Sequence, residues 1–258
     1  MGMTNGEGVS NAKIARFDAT EIARFNALAA RWWDRRGPMR PLHAMNPARV
    51  GWIAEQIARH GHDAPGTRVL DVGCGAGLAS EALHRCGHAV LGIDAAADVI
   101  EAARTHAASQ WGVSQGGVSQ GGVSEGPCYR VATAEDLLAE GARFPVITAL
   151  EVVEHVPDPA AFLRVLVALL EPGGLLVLST LNRTRRSFVT AKLGAEYVLR
   201  LLPVGTHDWH RFLTPVELAR LAQEAGARVT ATGGLSPGVM GWRVTRDLGV
   251  NYLLAAVK

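Results

Sequence analysis

The sequence has few cysteines, no long apolar run and almost no net charge. Its three cysteines, Cys74, Cys86 and Cys128, are odd in number and lack the paired spacing of a metal site, so we expect free thiols in a reducing cytoplasm. The first residues contain no apolar signal core, and no stretch reaches the ~18 uninterrupted apolar residues of a membrane span. The net charge of +2 gives no overall attraction to nucleic acid. These absences argue against a disulfide-stabilised secreted protein, a membrane-spanning protein and a general nucleic-acid binder.

The chain does contain enough apolar material for one large domain, because 48% of its 258 residues are hydrophobic. Five apolar runs alternate with helical stretches, which predicts a parallel sheet with right-handed crossovers. These runs are 68–73, 89–94, 128–133, 145–150 and 175–180. Two further runs, 227–232 and 252–258, have no evident helix between them and predict a closing antiparallel pair. The predicted fold class is therefore α/β, with a mostly parallel seven-stranded sheet whose final strand is antiparallel.

Helix signals stand on both sides of the alternating region. Apolar residues at helical spacing predict a first helix over 14–36. Asn46-Pro47 is typical of a cap followed by proline at the first helical position, so we expect a second helix from there to about His60. Thr214-Pro215 predicts a third helix start, with a helix over 214–225.

We expect a flexible N-terminus at residues 1–12 and a single domain at residues 13–258 that carries two insertions. Residues 109–127 hold a repeat rich in Gly, Ser and Gln, which cannot bury enough apolar surface to offset its ordering entropy, so a flexible surface loop is expected. Residues 182–211 combine basic side chains with a helical apolar face. This pattern favours a helix at a membrane interface, and the alternative is a lid or core-facing helix.

A glycine-rich turn follows the first of the five apolar runs. Gly73, Gly75 and Gly77 allow the backbone to approach a ligand where a Cβ atom would clash. A dinucleotide fingerprint would have its third glycine where this chain has Leu78. Asp94, at the end of the second run, is placed to accept ribose hydroxyls. We therefore predict a nucleoside pocket for S-adenosylmethionine; a dinucleotide site and a purely structural glycine turn are the alternatives.

An acidic segment with a histidine follows the strand that ends near Leu150. If the turn is helical, Glu151, Glu154 and His155 share one face at i, i+3 and i+4. Two carboxylates and an imidazole can hold Mg²⁺, which would orient a catechol-type substrate and lower its phenolic pKa. Alternatively, His155 acts without metal as a general base. A solvated helix start with a packed histidine is the third interpretation.

Two further residues are candidates for cofactor contacts. Leu150 ends its apolar run beside the predicted pocket and is placed to cover an adenine, although core packing explains a leucine there equally well. Arg49, on the second predicted helix, is a cation that could meet the carboxylate of the cofactor. The alternative for Arg49 is a solvated surface group.

Several short segments are specific in combination. They are Arg31-Trp32-Trp33-Asp34, Pro41 to Arg49, Leu70 to Gly75, Glu154 to Pro159, Ser179 to Arg183, Gly194 to Arg200 and Gly205-Thr206-His207-Asp208. Together they closely resemble the ubiquinone-biosynthesis O-methyltransferases, from about Ile14 to the end of the chain. The resemblance implies a class I S-adenosylmethionine-dependent methyltransferase fold. It also implies O-methylation of polyprenyl-hydroxyphenol and 3-demethylubiquinol intermediates at one active site.

The resemblance assigns roles to individual positions. Those matching Arg49, Gly73, Asp94 and Leu150 contact the cofactor in the family, and Gly75 belongs to the same glycine turn. In the family, divalent metal binding is attributed to the positions that match Glu151, Glu154 and His155. Glu154 and His155 are also our candidates for catalytic residues.

The resemblance also bears on the partners of the protein. An insertion like 182–211 associates with anionic lipid in the family, so we expect a cytoplasmic protein bound peripherally to the inner membrane face. Its partners would be a polyprenylated phenol or quinol, the lipid surface and other ubiquinone-biosynthesis enzymes, without nucleic acid. Three features depart from the family pattern: Leu150 where methionine is common, Ala76 in place of a frequent glycine, and the extra repeat.

Two other functions compete with this interpretation. A methyltransferase for another small phenol would need no contact with lipid. A dinucleotide-dependent oxidoreductase would use the glycine turn for a pyrophosphate instead of a sulfonium cofactor.

Overall fold

An eight-stranded mixed sheet organises the computed structural model, which describes residues 19–112, 125–187 and 211–258. The strands are β1 (Arg68–Val72), β2 (Ala89–Asp94), β3 (Cys128–Val131), β4 (Phe144–Leu150), β5 (Leu170–Leu181), β6 (Arg228–Gly238), β7 (Gly241–Thr245) and β8 (Asn251–Val257). Their order is β3-β2-β1-β4-β5-β8-β6-β7. The first five strands pair in parallel, whereas β8 is antiparallel to both β5 and β6. The predicted α/β class with an antiparallel C-terminal strand is confirmed.

The sheet has one strand more than the sequence predicted. β6 turns at Val239 and Met240 into β7, and the two strands form an antiparallel hairpin at the edge of the sheet. Pro237 and Gly238 favour a loop in the sequence, but β6 tolerates Pro237 because its pairing with β8 ends at Leu235, so the strand has a partner on one side only at this point. The segment between the last two predicted strands is therefore a hairpin strand and not only a loop.

Seven helices and one short 3₁₀ turn lie wholly within the described ranges. The helices are α1 (Ala19–Leu28), α2 (Arg40–Arg59), α3 (Leu78–Arg85), α4 (Ala97–Trp111), α5 (Ala134–Ala139), α6 (Pro159–Leu169) and α7 (Pro215–Glu224), and the 3₁₀ turn is Ala29–Arg31. The predicted start of α7 is correct, because Thr214 caps the helix and exchanges hydrogen bonds with Glu217.

The predicted start of the second helix is wrong. α2 begins at Arg40, with Pro41 in its first turn, and it contains Pro47 in its interior. Proline is tolerated at Pro41 because the first N–H groups of a helix have no intrahelical partner. Asn46 is buried within the helix, and its side-chain Nδ2 donates to the carbonyl of Leu78 at 2.9 Å. Asn46 thus joins α2 to α3 and does not cap a helix.

Helices cover both faces of the sheet, which explains why its strands are apolar on consecutive residues. In β1, Leu70 packs into a cluster with Phe162 of α6, while its neighbour Val69 packs into a second cluster with Ile53 of α2. A third cluster joins Trp32 to the glycine turn and to α4. This third cluster brings the N-terminal segment over the carboxyl edge of the sheet.

Three sequence predictions lie wholly or partly outside the described residues. They concern the N-terminal segment 1–12, the centre of the 109–127 insertion and most of the 182–211 insertion. At the start of 109–127, α4 continues to Trp111 and ends at Gly112, which adopts the left-handed conformation with φ of 68°. Within the described ranges, no helix has the length and apolar character needed to cross a bilayer.

Candidate active site

A cavity of about 380 Å³ opens at the carboxyl edge of β1, β2 and β4. Side chains from α1 and Trp32 form one wall, and the glycine turn forms another. All the site residues predicted from the sequence line this cavity: Arg49, Gly73, Gly75, Asp94, Leu150, Glu151, Glu154 and His155. This is the edge at which ligands of open α/β sheets bind. The structure therefore brings the whole predicted set together.

The glycine turn is shaped by side chains of the protein itself. Gly73 and Gly75 have positive φ values of 67° and 55°, which disfavour any residue with a Cβ atom. A Cβ atom on Gly75 would lie 2.3 Å from the Trp32 ring, and one on Gly73 would lie 2.5 Å from the Val152 side chain. The sequence predicts that these glycines allow the close approach of a ligand. They are also required because Trp32 and Val152 pack directly against the turn.

Asp94 is fixed at the end of β2 by backbone donors. Its two carboxylate oxygens accept hydrogen bonds from the N–H groups of Gly75, at 3.0 Å, and Ala96, at 2.9 Å. Burial raises the pKa of Asp94, and these backbone hydrogen bonds partly oppose that shift. The carboxylate is thus held in one orientation with further acceptor capacity for hydroxyl groups in the cavity.

Arg49 is buried, contrary to the alternative of a solvated surface group. One of its Nη atoms donates to the side-chain oxygen of Asn46 at 2.9 Å, while its Nε has no hydrogen-bond partner among the described residues. Burial lowers the pKa of Arg49, and the charges of Glu151 and Asp71 oppose this shift. A buried donor without a partner is costly. The guanidinium therefore suits an anionic ligand group in the cavity it lines.

The acidic segment after β4 is not helical, so the predicted shared face is wrong. The segment consists of turns, and Glu151 has a positive φ of 58°, which directs the chain away from a helix at its first residue. The carboxylate of Glu151 accepts hydrogen bonds from the Ser179 hydroxyl, at 2.8 Å, and the Asn251 amide, at 2.9 Å. Glu151 is thereby tied to β5 and β8.

Glu154 and His155 are engaged by different partners. The buried carboxylate of Glu154 accepts a hydrogen bond from the Thr180 hydroxyl at 2.9 Å. Burial and the nearby charge of Glu151 raise the pKa of Glu154 to about 7. His155 Nδ1 lies 2.8 Å from Oε2 of Glu21 on α1, a contact that is an ion pair when the imidazole is protonated. Burial lowers the pKa of His155, but the interactions with Glu21 and Glu154 outweigh burial and leave that pKa raised.

The arrangement of these side chains gives no support to the predicted magnesium site. In the part of the chain that the structure describes, no group of three or more acidic, histidine or cysteine side chains is arranged to hold a metal ion. Glu151, Glu154 and His155 each contact a separate partner. We therefore derive no catalytic step through a metal.

Sequence reasoning missed two residues that hold the site together. Glu21 lies in the first predicted helix. The sequence feature that could have identified it is that this acid shares one helical face with the apolar residues Phe25 and Leu28, at i, i+4 and i+7. Asn46 was interpreted as a cap, although its amide bridges Arg49 and α3. An acid on an apolar face and a polar residue inside a helix are both signals of a buried partner.

Comparison with known proteins places this site in a family. The matching family model is described as a methyltransferase domain and covers residues 43–232. A ubiquinone biosynthesis O-methyltransferase from Azorhizobium caulinodans is 45% identical, over 93% of this chain and 93% of that protein. The chain belongs to the ubiquinone biosynthesis O-methyltransferase family. Another member, from Caulobacter sp. strain K31, is 44% identical over 98% of this chain and 99% of its own length.

Solved structures support the fold of this O-methyltransferase family member. The magnesium protoporphyrin IX methyltransferase of Synechocystis, crystallised with bound SAH, has a TM-score of 0.64 and 21% identity, over 93% of this chain and all of its own. A possible histamine N-methyltransferase from Thermotoga maritima has a TM-score of 0.59 and 15% identity, over 92% of this chain and 99% of its own. At these identities the similarity concerns the fold alone.

Proposed function

We propose that this chain is an S-adenosylmethionine-dependent O-methyltransferase that acts on polyprenyl-hydroxyphenol and 3-demethylubiquinol intermediates. The observation that carries the proposal is one cavity lined both by Arg49 and Asp94 and by Glu154 and His155. The first pair suits an amino-acid-bearing nucleoside, and the second pair offers a base to a phenol. The names of the family members give O-methylation in ubiquinone biosynthesis, and the two intermediates are those that the resemblance of the sequence implies.

The part of the cavity lined by Arg49 and Asp94 offers a partner to each end of S-adenosylmethionine. S-adenosylmethionine, when bound, supplies an electrophilic methyl group on a sulfonium sulfur. We assign the cofactor carboxylate to Arg49, whose Nε is buried without a partner among the described residues, and the ribose hydroxyls to Asp94. Leu150, buried at the end of β4, would pack against the adenine, and Gly73 and Gly75 would leave room for the chain of the cofactor.

His155 is the proposed general base, and it accepts the phenolic proton. As the proton moves to the imidazole, the phenolic oxygen forms its bond to the methyl carbon and the bond from carbon to sulfur breaks. A free phenol has a pKa of about 10, so transfer of its proton makes the oxygen a far better nucleophile near neutral pH. Burial disfavours the imidazolium product, but Glu21 and then Glu154 outweigh burial and favour it. The buried apolar walls exclude water from the reacting atoms.

Methyl transfer to a soluble substrate tests the proposal directly. Incubation of the purified chain with S-adenosylmethionine, Mg²⁺ and a short-chain prenylated catechol should yield the catechol O-methyl ether and S-adenosylhomocysteine. Folded protein that binds S-adenosylhomocysteine but forms no ether would contradict the proposal. Mg²⁺ is included so that a missing cation cannot explain inactivity, and a parallel reaction with EDTA measures whether turnover needs the metal that the sequence predicted.

We also propose that the protein contacts an anionic membrane surface at the cavity edge of the sheet. Support comes from the β6–β7 hairpin, where Val239 and Met240 are fully exposed. Leu235 of β6 pairs with Asn251 of β8, which lines the cavity. β6 then continues to Gly238, and after Leu235 it is paired only with β7. The hairpin tip thus projects beyond the edge at which the cavity opens. An isoprenoid substrate in a bilayer has to be reached from this side.

Charges near the hairpin suit an anionic surface. Arg243 and Arg246 are exposed on and just after β7, so apolar tip residues are combined with cations. In the described part of the predicted 182–211 insertion, Arg183 pairs with Glu217 and Arg186 with Asp247. The helix predicted further along that insertion lies outside the described residues, and its lipid contact stays a prediction.

Flotation with anionic vesicles should depend on the hairpin tip. Met240→Asp removes an exposed apolar side chain and adds a negative charge, so we expect binding to vesicles rich in phosphatidylglycerol to weaken about tenfold, on the scale of ~1.5–3 kcal/mol for burying such a side chain. Ala64→Asp adds the same charge to an exposed residue before β1, at the opposite edge, and should change little. Equal binding by wild type and Met240→Asp would contradict the assignment, as would binding to neutral vesicles alone.

A further inference from the structure

One face of α2 lines the cavity and changes in character along the helix. Pro41, Leu42, Met45 and Arg49 belong to the lining, and their spacing places them on one side of the helix. The first three are apolar, whereas Arg49 is the buried cation assigned to the cofactor carboxylate. Eight residues of a helix cover about 12 Å, so an apolar strip of roughly this length runs from Arg49 to the first turn of α2. We call Pro41, Leu42 and Met45 the α2 strip.

The α2 strip extends from the interior of the cavity to the surface of the protein. Met45 is buried, Leu42 is half-buried and Pro41 is exposed. Met39, directly before α2, is also a buried part of the cavity lining. Methionine is unbranched and polarisable, so it adapts to apolar groups of different shape. The cavity thus has an apolar path to the solvent along the first turns of α2.

S-adenosylmethionine and a catechol ring leave the α2 strip without an occupant. The carboxylate of the cofactor is assigned to Arg49 and its ribose to Asp94, and the catechol lies beside His155 in the proposed function. The cavity of about 380 Å³ is near the lower end of the ~300–1,000 Å³ of ligand pockets, so it cannot also enclose a polyprenyl tail. A tail on the ring must leave the cavity, and an apolar chain leaves most favourably over an apolar surface.

The α2 strip lies on the side of the molecule that carries the β6–β7 hairpin. Trp242 and Val244 of β7 pack against the apolar cluster that contains Met45. Pro41 lines the cavity at the edge of the sheet beyond which the hairpin tip projects. A tail that follows the strip from Met45 to Pro41 therefore emerges beside the surface proposed to meet the membrane.

We propose that the α2 strip binds the first isoprene units of the substrate and that Met45 determines the preference for prenylated catechols over catechols without a tail. The inference rests on the proposed function, because the tail belongs to the proposed substrate. Burial of the isoprene carbons stabilises the ground state and the transition state alike, so the gain should appear in KM and not in kcat. The strip thereby selects the substrate without taking part in methyl transfer.

Kinetics with soluble catechols that carry no isoprene unit, one unit or two units test this preference. For wild type, we expect the first unit to lower KM about tenfold, on the scale of burying an apolar group of its size. Met45→Gln keeps an unbranched side chain of similar length and helix propensity but places an amide on the strip. The preference should fall to about threefold or less in this variant, while kcat/KM for the catechol without a tail stays within about twofold of wild type.

Two further variants control for this result. Met45→Leu keeps an apolar side chain and should retain the preference. Val216→Gln adds the same amide to an exposed apolar residue of α7 outside the cavity lining, and it should behave as wild type. A wild type without the preference would overturn the inference, as would a Met45→Gln protein that keeps it. An equal loss for every catechol in a folded Met45→Gln protein would also overturn it, because Met45 would then only support the cavity.

Photo-crosslinking of the wild-type protein tests the same contact without any substitution. A catechol with a diazirine on its first isoprene unit, bound together with S-adenosylhomocysteine, should label the segment 39–45. An excess of the same catechol without the diazirine should prevent this labelling. Absence of label from that segment would overturn the inference. A wild type that binds S-adenosylhomocysteine but methylates none of the catechols would refute the proposed function instead.

Discussion

Replacement of His155 by glutamine is expected to lower kcat for methyl transfer by about 10²–10⁴-fold, the usual contribution of a general base. His155 lines the cavity, and no second imidazole does so among the described residues. Glutamine is similar in size and keeps hydrogen-bonding groups near Glu21, but it cannot accept a proton at neutral pH. The loss should therefore appear in kcat, while the affinity for S-adenosylhomocysteine, measured by calorimetry, stays nearly unchanged.

A matched histidine variant controls for this result. His62 lies outside the cavity lining, where its ring contacts the Gly173 carbonyl at 3.1 Å, so His62→Gln should retain wild-type kcat. A kcat of His155→Gln within threefold of wild type would mean that the phenolic proton leaves by another route. The base would then have to be Glu154, whose raised pKa also suits proton transfer near neutrality.

Replacement of Arg49 by methionine is expected to weaken S-adenosylhomocysteine binding about 10- to 100-fold. Hydrogen bonds to charged groups contribute ~1.5–3 kcal/mol, and the Nε of Arg49 is buried and available for the carboxylate of the cofactor. Arg49→Lys should recover only part of the affinity, because lysine cannot present the planar fork of donors that a carboxylate accepts. Titration calorimetry measures the affinity of wild type, Arg49→Met and Arg49→Lys for S-adenosylhomocysteine.

The stability of the unliganded variants must be measured alongside their affinity. Methionine at position 49 leaves the side-chain oxygen of Asn46 without its donor, so some loss of melting temperature is expected. Arg68→Met provides the control, because Arg68 is an exposed residue of β1 whose pair with Glu171 lies outside the cavity lining. Unchanged affinity in a folded Arg49→Met protein would remove Arg49 from the cofactor site.

Local patterns predicted the parallel strands of the sheet correctly, and they brought the residues of one cavity wall together. Apolar runs identify β1, β2 and β4 because strands buried on both faces are apolar throughout. Once these strands are parallel, their carboxyl ends share an edge, and Gly73, Asp94 and Leu150 must lie near one another. The order of these residues along the chain was therefore enough to place them.

Contacts between distant segments could not be predicted in the same way. Glu151, Glu154 and His155 have the spacing of one helical face, but hydrogen bonds from Ser179 and Asn251 hold Glu151 in a left-handed turn. Asn46 resembles a cap locally, yet it is buried because α3 supplies an acceptor. Tertiary partners thus override local signals, and they also create the contact of Glu21 with His155 that no spacing rule shows.

We propose that the glycine turn, Asp94 and Arg49 accept the nucleoside of a sulfonium cofactor. The most direct test compares the binding of S-adenosylhomocysteine with the binding of NADH. S-adenosylhomocysteine, and not NADH, should raise the melting temperature of the wild-type protein and give a binding heat with a stoichiometry of about one in calorimetry. Arg49→Met should weaken that binding. Stabilisation by NADH, with no response to S-adenosylhomocysteine, would contradict the account.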